Sequence, residues 1–133
     1  MRTMRILAAI AATIIGVLLA QSDADYQSWM KTVAATNQSL QKNLAAKDAK
    51  GVSADAAKLQ DTFKQVEGFW QTRKSADAMN FAKQAQTAAA SISKDAEAGN
   101  MDQAAADAKS LAAVCGQCHM AHREKGDSGF KIK

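Results

Sequence analysis

The chain has no proline, two cysteines, two histidines and one tyrosine among its 133 residues, and aromatic residues make up only 5%. Each shortage excludes something. Without proline, no residue forces a helix to kink or confines a strand to a sheet edge. Two cysteines cannot build the multi-bridge framework of a small disulfide-stapled domain. Charge of one sign is also lacking, with 17 basic against 13 acidic side chains. Leaving out Arg2 and Arg5 brings the balance near +2, which argues neither for nucleic acid nor for an acidic membrane surface as partner. Nor is there a long apolar run. The longest, Ile6 to Ala20, falls short of the about 20 residues that cross a bilayer.

What the chain does have is concentrated near its C-terminus. Both cysteines and one histidine fall in Cys115-Gly116-Gln117-Cys118-His119, the spacing at which a c-type haem is covalently attached. Two thiols add across the two vinyl groups of one porphyrin edge, and the next residue's imidazole ligates the iron. On a helix the three side chains share one face, being three and four positions apart. Cys115 and Cys118 are therefore the expected haem-attachment residues and His119 the expected proximal iron ligand, with one haem c per chain. Three other readings use the same residues. A redox Cys-x-x-Cys pair usually opens a helix after a strand, where the helix N-terminus depresses a thiol pKa, whereas this pair closes a long alanine-rich stretch. A zinc site would take Cys115, Cys118, His119 and His122, four ligands from eight consecutive helical residues, which is unusual for a closed structural site. A disulfide across i,i+3 would be strained on a regular helix.

The other end of the chain carries the marks of an export signal. Met1-Arg2-Thr3-Met4-Arg5 is a basic flank before the apolar run, so residues 1–20 read as a signal peptide, with cleavage after Ala20 or as late as Ala24. An uncleaved signal anchor is the other reading. No cysteine follows the apolar run, which excludes a lipoprotein anchor. Covalent haem attachment in bacteria follows export, so the two ends of the sequence agree on a periplasmic protein.

The remaining residues, 21–133, suffice for one domain. Abundant alanine and scattered β-branched residues predict an all-α chain, an antiparallel four-helix bundle with the haem near the C-terminal helix. A first helix is expected over 23–49, stopped by Gly51. It carries the stripe Tyr26, Met30, Val33, Asn37, Leu40 and Leu44. A second starts near Ser53 as N-cap, presents Leu59, Phe63, Val66 and Trp70, and ends between Gln71 and Lys74. A third begins near Ser75, carries Ala78, Phe81, Ala85, Ala88 or Ala89 and Ile92, and stops at Gly99-Asn100. The fourth runs from Met101 or Asp102 to about Lys125. Gly126-Asp127-Ser128-Gly129 then reads as a flexible exit before a fraying Phe130-Lys131-Ile132-Lys133. The third and fourth helices offer mostly alanine to the core, so an inserted haem would supply apolar bulk and the apoprotein should be weakly folded.

Four helices with the attachment motif near the C-terminus resemble the class II c-type cytochromes, the cytochrome c prime family. The resemblance spans the mature chain, although only the motif is specific. In the family the motif is followed, two residues on, by an aromatic residue and then an arginine beside the haem. Here Arg123 matches the arginine and His122 stands for the aromatic, as a propionate neighbour or surface residue. The segment Asp25-Tyr26-Gln27-Ser28-Trp29-Met30 resembles the stretch leading to the family's distal position, which places Met30 over the open haem face as sixth iron ligand. The family's propionate-contacting arginine appears here as Tyr26. Members with methionine at the distal position are low-spin electron carriers, and those with an apolar residue leave the iron five-coordinate and bind nitric oxide or carbon monoxide. A thioether favours ferrous iron.

The resemblance thus implies a one-electron carrier with transient redox protein partners and no stable membrane insertion after signal removal. Members often form homodimers through the first two helices. Simple core packing is the competing role for Met30, and Met79, Met101 and Met120 are rival ligands, of which Met120 adjoins His119 and cannot cross the haem. Trp29, Phe63, Phe69, Trp70 and Phe81 read as core or haem wall. The protein is not expected to be an enzyme. With His119 on iron, only His122 is left for a Ser-His-acid arrangement, and Asp55, Asp61, Glu67, Asp77, Asp95, Glu97, Asp102 and Asp107 read as solvated helix faces.

Overall fold

The computed structural model describes residues 21–133, and the expected signal peptide, residues 1–20, lies outside the described residues. Four helices follow one another, α1 (Asp23–Ala45), α2 (Ala49–Thr72), α3 (Ala76–Glu97) and α4 (Met101–His122), and two short strands, β1 (Arg123–Gly126) and β2 (Gly129–Ile132), end the chain. The turns between helices are three residues long, so each helix returns antiparallel to its predecessor and the four pack as a bundle. Among the described residues no helix is long and apolar enough to cross a membrane.

The bundle is specified by stripes that alternate by four and three. On α2 the buried positions Val52, Ala56, Leu59, Phe63, Val66 and Trp70 follow this rhythm, and on α3 so do Ala78, Ala82, Ala85, Ala89, Ile92 and Ala96. Alanine on α3 lets its neighbours approach closely, and α2 with α3 is the tightest pairing, followed by α3 with α4. In contrast, α1 meets α4 only marginally. The largest fully buried side chains, Phe69, Leu40, Leu59, Ile92 and Leu111, come from all four helices. Truncating any of these to alanine should cost about 2–5 kcal/mol.

Helix starts follow local capping. Ser22 and Asp25 form a reciprocal capping box at α1 (3.0 and 3.1 Å), and Asp48 caps α2 by accepting from the Gly51 N–H. All three interhelical turns use one C-terminal motif, with a residue in the left-handed region at Lys47 (φ 53°), Lys74 (φ 55°) or Gly99 (φ 79°). At each, the following N–H reaches back to a carbonyl five residues earlier: Asp48 to Asn43, Ser75 to Trp70 and Asn100 to Asp95, at 2.8–3.1 Å.

Two expected boundaries are corrected. Gly51 does not stop the first helix, which ends at Ala45; it lies in the first turn of α2, and Ser53 is inside that helix rather than at its N-cap. A side chain at Gly51 would come within 2.7 Å of the Asn43 amide nitrogen, which donates to Asp55 Oδ2 at 2.8 Å. A larger residue at position 51 would thus have to displace the side chains of Asp48 and of Asn43, the latter reaching across from α1. The C-terminal segment, expected as flexible and fraying, pairs as a β-hairpin in the register Arg123 to Ile132 and Gly126 to Gly129, so α4 ends at His122 and not near Lys125. Gly129 (φ 125°) makes the tight return possible. Ile132 packs on the core, Gln27 Nε2 donates to the Phe130 carbonyl (3.1 Å) and the Lys133 N–H donates to the His122 carbonyl (3.1 Å). The hairpin is thereby tied to both α1 and α4.

Candidate functional site

The inner stripe of α4 reads Ala104, Ala108 and Leu111, all buried, and the same four-and-three rhythm continues onto Cys115 and Cys118. Both thiols are thus carried inward. They line, with His119 one turn beyond Cys115, a cavity enclosed by all four helices. Across it α1 contributes Tyr26 and Met30, while Phe63 of α2 and Phe81 of α3 close the sides. The space is about 30 Å³ and its lining is almost wholly apolar. The four side chains singled out from the sequence, Met30, Cys115, Cys118 and His119, are therefore brought to one cavity from opposite helices.

The electrostatics follow from burial. Desolvation raises both thiols, and Cys118, with the negative charge of ionised Cys115 and of Asp77 nearby, is pushed up to about 11. These are neutral thiols at pH 7, the reverse of the depressed pKa a redox-active pair needs. Burial lowers His119, assisted by the positive charge of Arg123, so its imidazole is held neutral with a lone pair to offer a metal. Burial likewise pushes Tyr26 up to about 12, leaving it a protonated hydroxyl throughout the physiological range.

His122 and Arg123 sit elsewhere. The His122 ring lies 4.8 Å from that of Trp70, with Nε2 2.8 Å from Asp77 Oδ2, and its side chain is only 17% exposed, so it is a packed link between α4 and the start of α3. Cys115, Cys118, His119 and His122 do not converge, and among the described residues no three His, Cys, Asp or Glu side chains gather as a metal-holding group. Arg123 is exposed with its guanidinium 3.9 Å above the Phe130 ring, outside the cavity lining, although its charge is felt at His119. Met79 and Met101 pack against the core and Met120 is 78% exposed, so of the candidate methionines Met30 alone lines the cavity.

The sequence reading grouped Trp29, Phe63, Phe69, Trp70 and Phe81 together as core or wall, and Trp29 packs partly buried against the core. Phe63 and Phe81 face the cavity, whereas Phe69 and Trp70 stand behind Tyr26, at 4.7 and 5.6 Å between ring centroids. What sequence reasoning missed is the state of Trp70. Its indole N–H is buried without an acceptor among the described residues. Residue type and spacing carry no signal of that kind.

No family model matches the chain, and neither the curated proteins nor the solved structures contain a match to it.

Proposed function

We propose that this protein is a mono-haem c-type cytochrome of the class II kind, exported to the periplasm, which carries one electron at a time between transient protein partners. One observation carries the reading. A single apolar cavity is lined on its α4 side by Cys115, Cys118 and His119 and on its α1 side by Met30. The donor set suits haem c: the two neutral thiols of Cys115 and Cys118 would take its covalent bonds, and the neutral imidazole of His119 and the thioether of Met30 would ligate its iron. The space as packed is far smaller than a porphyrin. Room is most readily made between α1 and α4, which meet only marginally.

When bound, haem supplies the ferric–ferrous couple, accepting one electron from a donor and returning it to an acceptor with no bond made or broken in the protein. The chain's own residues set the conditions of that exchange. His119 offers its nitrogen because burial keeps the imidazole neutral. Met30 offers a soft sulfur that favours the ferrous state. Phe63 and Phe81 keep water from the cavity walls. At Met120, 78% exposed, the attachment end of α4 reaches the surface, where a small and weak encounter with a redox partner suffices.

Absorption spectra of the exported protein in both oxidation states test the reading. Low-spin spectra with the weak far-red band of methionine ligation are expected. High-spin spectra with rapid carbon monoxide binding would make the protein a five-coordinate gas binder, and the lack of any haem spectrum would overturn the cytochrome reading.

A further inference from the structure

The helix packing leaves one seam weak. α1 meets α4 only marginally, although these two helices bring Met30 and His119 to the same cavity. α1 packs mainly on α2, so the pairing of helices by itself fixes the separation of Met30 from His119 only loosely. The C-terminal hairpin bridges that seam. On the α1 side its anchor is Gln27, whose Nε2 donates to the Phe130 carbonyl at 3.1 Å. Gln27 stands three residues before Met30, a neighbour on the surface of one helix. On the α4 side the anchor is the His122 carbonyl, three residues after His119, which accepts from the Lys133 N–H at 3.1 Å. Ile132, between these two points, packs on the core.

The hairpin carries its own cross-strand pairs. Glu124 and Lys131 stand directly opposite and pair at 3.4 Å, and the Arg123 guanidinium covers the Phe130 ring at 3.9 Å. A two-stranded ribbon is marginally stable alone in water, so its order depends on these pairs and on its docking. Elements with so few buried contacts open locally at low cost. We propose that the hairpin is a strap that fastens α1 to α4 and so keeps Met30 on the iron of the bound haem, with Gln27 as the positioning residue. The inference rests on the cytochrome reading above. With the strap closed, the sulfur occupies the sixth position and the protein carries electrons. With the strap open, α1 draws away from α4 and the position is free for a small gas molecule. The population of the open form sets how far the protein acts as a gas binder.

Carbon monoxide binding to the reduced, haem-loaded protein measures that population, because the apparent affinity scales with the fraction of chains that Met30 has left open. Gln27→Glu keeps the shape of the side chain, removes the donor and sets a carboxylate against the Phe130 carbonyl. The affinity for carbon monoxide should rise about three- to tenfold, the worth of one hydrogen bond. Gly129→Val acts at the tip of the hairpin, where φ 125° suits glycine alone and no neighbour lies within 4 Å, and should raise the affinity in the same direction. Gln27→Glu decides the matter if Gly129→Val does not fold. In both variants amide hydrogen exchange should quicken in the first turns of α1 as well as in the hairpin. On a Met30→Ala background neither substitution should change carbon monoxide binding further, which separates a strap that acts through Met30 from one that only covers the haem. Unchanged affinity in the single variants, an equal rise on the Met30→Ala background, or faster exchange confined to the hairpin would overturn the strap and leave the cytochrome reading in place. A wild type already high-spin would take Met30 off the iron and overturn both the strap and the electron-carrier reading, and a wild type without haem would overturn the cytochrome reading itself.

Discussion

Replacing Lys47 by glycine should stabilise the protein, and the turn itself provides the magnitude. Lys47 sits in the left-handed region at φ 53°, and Lys74 repeats the conformation at φ 55°. A side chain there meets the following carbonyl at a cost of about 1–2 kcal/mol, which glycine avoids. Glycine gives back about 0.5–1 kcal/mol through the greater freedom of the unfolded chain. The net gain is about 0.5–1 kcal/mol per turn. Neither lysine makes an ion pair among the described residues, so no ion pair is lost with the side chain. The two sites flank opposite ends of α2, a helix of 24 residues and roughly 36 Å in length, and should add to about 1–2 kcal/mol in the double variant. Gly99 occupies the same position in the third turn (φ 79°) and serves as the reverse control: Gly99→Ala should cost about 1 kcal/mol. Urea unfolding of the haem-loaded protein, with midpoints compared at unchanged slope, measures all four. If Lys47→Gly and Lys74→Gly are neutral or destabilising while Gly99→Ala is harmless, left-handed strain is not stored in these turns and the reasoning fails.

Three further outcomes are expected. Met30→Ala should convert low-spin iron towards high-spin, abolish the far-red band, lower the potential and admit carbon monoxide, whereas a wild type already high-spin and unaffected by the change would leave Met30 as core alone. Asp77 is held below the usual carboxylate range, chiefly by its hydrogen bond with His122 and then by Ser75, so its contribution to stability is present above about pH 4 and lost as pH falls through the lower folded value. The thermal midpoint of the wild type should accordingly exceed that of Asp77→Asn at pH 6 and lose that margin as the pH falls below the ordinary carboxylate range; a margin independent of pH would rule out the charge as its source. N-terminal sequencing of periplasmic protein should start at Gln21 or Asp25, and full-length chain in the membrane fraction would indicate a retained anchor instead.

The four helices were legible because apolar side chains recur on stripes with no proline to interrupt them. The α2 stripe from Leu59 to Trp70 is buried, and Ser75 stands at the N-cap position of α3, although its hydroxyl donates to Asp77 and caps no helix N–H. The first turn was misplaced because its left-handed residue is Lys47, a type that rarely takes that conformation, while the nearby glycine at position 51 is explained by the Asn43 side chain pressed against it. That contact spans two helices and leaves no local trace. The hairpin was missed for a similar reason. Its register depends on Ile132 reaching the core and on Gln27, more than 100 residues away in sequence, holding the Phe130 carbonyl. At the site, the rhythm Ala104, Ala108, Leu111, Cys115 and Cys118 was available in the sequence as a sign that both thiols face inward. The spacing could not reveal that the hairpin starts at Arg123 and turns its guanidinium onto Phe130, or that His122 packs on Trp70 instead of joining the cysteines.

The central claim is that Cys115 and Cys118 hold a haem covalently. The mass of the tryptic peptide Ser110–Arg123, taken from protein purified after export, tests it most directly. The account predicts that this peptide carries one haem joined through both cysteines and retains it through acid-acetone extraction. The bare peptide mass, with two free thiols or a disulfide between them, would contradict it.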